Sequence, residues 1–77
     1  MDDHNEEIKE VKRQLCGKIQ VLGLRRHWNV SQMAVTCRTN RTRIAQVYQY
    51  DVENLSLNQL FAFLALIDPG FEILISI

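Results

Sequence analysis

The sequence predicts a mostly α domain of four helices that ends in a single β-strand, and three observations carry that prediction. Apolar residues recur in steps of three and four over most of the chain, the spacing of one face of a helix. Composition agrees, with 47% apolar residues, three glycines and one proline in 77 residues, the profile of an ordered helical chain rather than a disordered one. Only the last seven residues, FEILISI, change period: Phe71, Ile73, Ile75 and Ile77 alternate onto one face, as a strand requires. The length fits one domain spanning 1–77, with a core thin enough that a partner subunit is expected.

The elements follow in order. Residues 1–5 read as a flexible tail, with Asn5 a plausible cap. A first helix, roughly 6–26, places Ile8, Val11, Leu15, Ile19 and Leu22 along one stripe, with acids in its first turn where the helix dipole favours them. Lys12, Arg13, Lys18, Arg25 and Arg26 fall off that stripe, and Gly17 and Gly23 interrupt it, allowing a bend or early end near Gly23. Trp28 leads into Asn29, an N-cap for a second helix of about Val30–Cys37 that turns Val30, Met33, Ala34 and Cys37 inward. Arg38, Thr39 and Asn40 form a joint, and Asn40 can cap a third helix of about Arg41–Gln49 whose inward residues are Ile44, Val47 and Tyr48. After a loop at 51–54, Ser56 caps a fourth helix, Leu57–Ile67. Leu57, Leu60, Phe61, Leu64 and Ile67 form its stripe, Phe63 and Leu66 widen it, and Asp68, Pro69 and Gly70 close it.

Charge is distributed in blocks. The net charge is zero, yet residues 11–50 hold eight cations (Lys12, Arg13, Lys18, Arg25, Arg26, Arg38, Arg41, Arg43) and no acid, and the flanks are each acidic by four. Such a block is the footprint of a polyanion-binding surface; charge alone fits equally a solvated face neutralised by its flanks.

Other chemistries find little support. Paired carboxylates, a nucleophile beside a base and a phosphate-binding glycine loop are all missing, so no catalytic residue, cofactor or enzymatic role is expected. His4, His27, Cys16 and Cys37 lack the spacing of a zinc site, so no metal is expected, and the two cysteines read as small core residues. The sheet aromatics and GXXG loop of common RNA modules do not occur. No apolar run approaches the roughly 18 residues that cross a bilayer, and the start MDDHNEEIKE is unlike a signal peptide, so a cytoplasmic protein without membrane contact is expected.

Two short helices joined by about three residues must cross closely. Ala34 is small enough for the crossing, and Ile44 with Val47 can lock its angle. On these residues, and on Arg43-Ile44-Ala45-Gln46-Val47, the run Asn54-Leu55-Ser56-Leu57-Asn58-Gln59-Leu60 and Phe71-Glu72-Ile73, the chain resembles the lambda repressor-like, XRE/Cro-type helix-turn-helix family, specifically its small antitoxin and regulator branch. The resemblance covers roughly 20–77. It implies a DNA-binding domain in which the second helix of the pair, here the third helix, enters the major groove of double-stranded DNA and is followed by a Ser-Leu-initiated helix and a short terminal strand. Asn40, Arg41, Thr42, Gln46 and Gln49 are then the base-reading candidates, and Arg25, Arg26, Gln32, Arg38 and Arg43 the phosphate candidates, with Asn40 and Arg43 able to serve either way. Where the family often has glycine in the turn, this chain has Arg38, so the turn either holds arginine in a strained backbone or takes a different geometry.

No other segment reads as a strand, so 71–77 needs a partner. The same strand of a second copy supplies one, with Phe71, Ile73, Leu74, Ile75 and Ile77 at the dimer interface. Two recognition helices would then meet half-sites about 34 Å apart. The competing expectation is an antitoxin-type module that masks a toxin protein by strand addition, with DNA binding secondary.

Overall fold

Side chains of the predicted types start three of the helices. In the computed structural model, which describes residues 6–69, the chain forms α1 (Glu6–Arg25), α2 (Val30–Thr36), α3 (Arg41–Tyr48), a 3-10 turn (Val52–Asn54) and α4 (Leu57–Ile67). Asn29 and Gln32 make a reciprocal capping box at α2: the Gln32 N–H donates to Asn29 Oδ1 at 2.8 Å, and the Asn29 N–H to Gln32 Oε1 at 2.9 Å. Ser56 and Gln59 repeat it at α4, at 3.1 and 3.0 Å. Asn40 Oδ1 accepts the Arg43 N–H at 2.8 Å and starts α3. Each cap stabilises its helix by about 1 kcal/mol, which matters for helices of only seven and eight residues that could not stand alone. The strand expected at 71–77, with Phe71, Ile73, Leu74, Ile75 and Ile77, lies outside the described residues, as do the tail 1–5, its Asn5 cap and Gly70.

The helix ends share one device. Beyond α1, α2 and α3 the chain passes through His27 (φ 58°), Arg38 (φ 56°) and Tyr50 (φ 57°), all left-handed and none a glycine. After each, the next N–H reaches back to the helix: Trp28 to Gly23 O at 3.0 Å, Thr39 to Ala34 O at 2.9 Å and Asp51 to Gln46 O at 2.9 Å. The left-handed residues themselves donate to Leu24 O, Val35 O and Val47 O. These are three Schellman closures, which satisfy carbonyls that the helix ends would leave unpaired. Of the two geometries open to the turn after α2, the chain adopts the left-handed one, at a cost of about 1 kcal/mol relative to glycine.

α1 lies against α4, α3 and the 3-10 turn, and α2 lies against α3. The core between them contains Leu15, Cys16, Ile19 and Leu22 of α1, Met33 and Ala34 of α2, Ile44 and Val47 of α3, and Leu60, Phe63, Leu64 and Ile67 of α4, with Cys37 and Leu55 from the connections. Leu66, expected to widen the α4 stripe, is partly exposed.

The α1 stripe is rotated from the expected one at its N-terminal end. Val11 is 40% exposed, whereas Lys12, expected off the stripe, is 2% exposed. The reason is a carbonyl that needs a donor: Lys12 Nζ donates to Val52 O in the 3-10 turn at 3.3 Å, which draws its aliphatic stem into the interior.

Gly23 is part of the packing rather than a helix end. A Cβ there would lie 2.5 Å from Met33 Cε and 3.1 Å from Tyr48 Oη, so its absence lets α2 and α3 close on α1. α1 continues through it to Arg25. Cys16 and Cys37 are buried free thiols, both pushed up to about 11 by burial, and Cys37 Sγ lies 3.7 Å from Met33 Sδ.

Candidate nucleic-acid interface

The candidate interface comprises α2, the Arg38 turn and α3. Ile44 and Val47 are fully buried and hold α3 against the core, so by helical spacing its opposite side is turned away from the core. Arg41, Thr42 and Gln49 are exposed there, and Gln46 is half-buried. Arg38 stands exposed in the turn and Asn40 just before α3, with Asn40 Oδ1 already accepting the Arg43 N–H as the cap. These residues therefore lie on the outer side of α3 and in the connection that leads into it. Arg25 and Arg26 are exposed at the end of α1, joined to α2 through His27 and Trp28. Arg26 lies over the Trp28 ring at 5.4 Å, a cation–π contact that orients its guanidinium.

The eight cations of the acid-free block do not all remain available. Lys12 is buried, and Arg13 pairs with Glu10 at 3.1 Å and Glu6 at 3.9 Å. Arg43 turns along α3, where its Nη1 donates to Gln46 Oε1 at 2.8 Å and to Asn54 O at 2.7 Å. Lys18, Arg25, Arg26, Arg38 and Arg41 make no ion pair with a carboxylate among the described residues. Apart from Lys18, these free cations lie at the end of α1 and around the turn into α3. Gln32 presents its amide nitrogen to an outside ligand, its oxygen accepting the Asn29 N–H in the α2 capping box.

Two positioning residues have no distinct sequence signal. Gln20 Nε2 donates to Val47 O and Tyr48 O at 3.4 Å each, holding the last carbonyls of α3 from α1. Lys12 does the same for the turn beyond α3. The three bonds join residues 27 to 40 positions apart, and a polar residue on a helix does not announce a carbonyl so distant in sequence.

A shallow depression on the outer side of α2 is lined by Trp28, Ser31, Gln32, Val35 and Thr36. Val35 is 78% exposed, and Leu24 on α1 is 75% exposed. Among the described residues no three His, Cys, Asp or Glu side chains gather as a metal site would require, and no helix is long and apolar enough to cross a membrane. Comparison with family models, curated proteins and solved structures finds no match to this chain.

Proposed function

We propose that the protein is a sequence-specific double-stranded DNA-binding transcriptional regulator, a repressor of bacterial or phage type acting as a homodimer in the cytoplasm. The observation that supports this most is the α2–turn–α3 unit. Two capped helices, of seven and eight residues, meet through a left-handed Arg38 and turn Arg41, Thr42 and Gln49 outward beside a half-buried Gln46; Arg38 and Arg41 in this unit, and Arg25 and Arg26 at the end of α1, have no carboxylate partner among the described residues, and no acid occurs between residues 11 and 50.

In this reading α3 lies in the major groove. Arg41 donates to a guanine edge, and Thr42, Gln46 and Gln49 reach neighbouring bases, while Arg25, Arg26 and Arg38 hold phosphates and fix the register. Repression follows from occupying an operator that polymerase needs. Dimerisation through 71–77 would double the contacts and set the half-site spacing. Ile75→Pro removes a ladder donor and should leave a monomer in sedimentation velocity; a variant that stayed a tight dimer would rule out that interface.

Arg41→Ala should weaken binding to a selected operator by about 1–3 kcal/mol and relax preference at one base. An equal loss on random duplex would reassign Arg41 to a phosphate. A protein-interaction role of the antitoxin kind has its own observation in the exposed Leu24 and Val35, since exposed apolar side chains of this size suit a protein surface better than DNA. Substituting both with serine should leave duplex binding intact if the DNA reading holds.

A further inference from the structure

Arg43 and Gln46 carry a consequence for base preference that rests on the DNA reading above. The Nη1 of Arg43 bears two hydrogens, and both have acceptors: Gln46 Oε1 at 2.8 Å and Asn54 O at 2.7 Å. The far end of this brace is itself anchored. Asn54 Nδ2 donates to Asp51 Oδ2 at 2.9 Å, and Lys12 Nζ holds Val52 O in the same turn. A guanidinium has no acceptor, so only the oxygen of the Gln46 amide can face it, and the chemistry settles which way the amide is turned.

A glutamine free to choose pairs with adenine by accepting from N6 while donating to N7. The Gln46 oxygen already takes a charge-assisted bond that fixes the amide plane and withdraws electron density from its second lone pair. Its two Nε2 hydrogens are left as the group presented. Guanine offers two acceptors to such a donor, O6 and N7, and thymine offers O4; adenine offers N7 alone, beside an N6 amino group that the donating amide cannot satisfy. We infer that Arg43 is a positioning residue that braces Gln46 from the turn beyond α3, so that Gln46 reads guanine or thymine rather than adenine. Arg43 acts on the nucleic acid through Gln46, in place of the direct contact expected from its position in the chain.

The test is selection of bound duplexes from a library of random sequence, using the full chain. The wild type should show one position whose preference disappears in Gln46→Ala, and that base should be guanine or thymine; adenine there overturns the inference while leaving specific DNA binding intact. In Arg43→Met the amide is released, and discrimination against adenine at that position should fall about tenfold; unchanged discrimination in a variant with wild-type helical circular dichroism also overturns it. Should Arg43→Met fail to fold, Gln46→Glu keeps the pairing with Arg43 but presents only acceptors, and preference should move to cytosine, whose N4 donates. A Gln46→Glu protein that keeps the wild-type base contradicts the brace. A wild type that binds no duplex at all removes the DNA reading itself, and the inference with it, an outcome distinct from adenine at the Gln46 position.

Discussion

The two halves of α1 carry the same kind of side chain and use it in opposite ways. In the N-terminal half, Lys9 bridges to Glu53 at 2.9 Å, Lys12 is buried against Val52 O, and Arg13 pairs with Glu10 and Glu6. These cations fasten α1 to itself and to the turn beyond α3. In the C-terminal half, Lys18, Arg25 and Arg26 have no carboxylate among the described residues. Charge counted along a chain is therefore not charge offered to a partner; acids one turn away or across a contact decide which cations remain for a polyanion.

Substitutions at each half should separate these uses. The largest effect is expected at Lys12: Lys12→Ala removes a buried stem and strands the Val52 carbonyl, and urea unfolding should show a loss of about 2–4 kcal/mol. Gly23→Ala comes next, since the new methyl meets Met33 and Tyr48; overpacking of this kind costs about 1–3 kcal/mol. Gly17→Ala has the opposite sign. Its Cβ would meet only the Tyr50 hydroxyl at 3.3 Å, the tip of a partly exposed side chain that can shift, and the gain in helix propensity should stabilise by up to about 1 kcal/mol. Lys18→Ala is the smallest, within about 0.5 kcal/mol in stability, and if Lys18 reaches a phosphate it lowers the salt dependence of duplex binding by about one unit.

The core thiols add a pH dependence. Both Cys16 and Cys37 titrate near 11 in the folded chain against an ordinary value of 9.0. A value raised by folding means that stability is fully present below pH 9 and falls as pH rises from 9 through about 11, because the unfolded chain ionises first. Urea titrations across that range should show the decline, and Cys16→Ala with Cys37→Ala should lessen it, leaving the part due to Tyr48, whose hydroxyl burial also pushes up.

Local chemistry made much of the fold legible. Asn29 with Gln32, Asn40, and Ser56 with Gln59 are short-range signals, and the helices begin where they stand. α4 has the bounds its periodicity predicts, and α1, α2 and α3 end one residue earlier than predicted because the last residue of each pattern serves as the C-cap. What could not be read was long-range. Periodicity counts Lys12 as polar and Val11 as apolar, and only a carbonyl 40 positions away reverses them. The candidate site divides in the same way. Arg41, Thr42 and Gln49 are exposed as helical spacing predicts, whereas Arg43 and the oxygen of Gln46 face each other because Asn54, after the helix, supplies the acceptor that draws Arg43 aside. Arg38 takes the strained, left-handed backbone, and nothing in the residues nearby selects that geometry over another turn.

In the proposed reading, the cations left unpaired at the end of α1, in the Arg38 turn and on α3 meet a duplex backbone. Fluorescence anisotropy of wild type on a labelled random-sequence duplex, titrated with salt, tests it most directly. Log affinity should fall linearly with log salt, with a slope of about 0.9 per phosphate contacted, and Arg38→Ala should reduce that slope by about one per protomer while Arg13→Ala leaves it unchanged. Absence of duplex binding at low salt, or a slope that moves with Arg13 and not with Arg38, would contradict it.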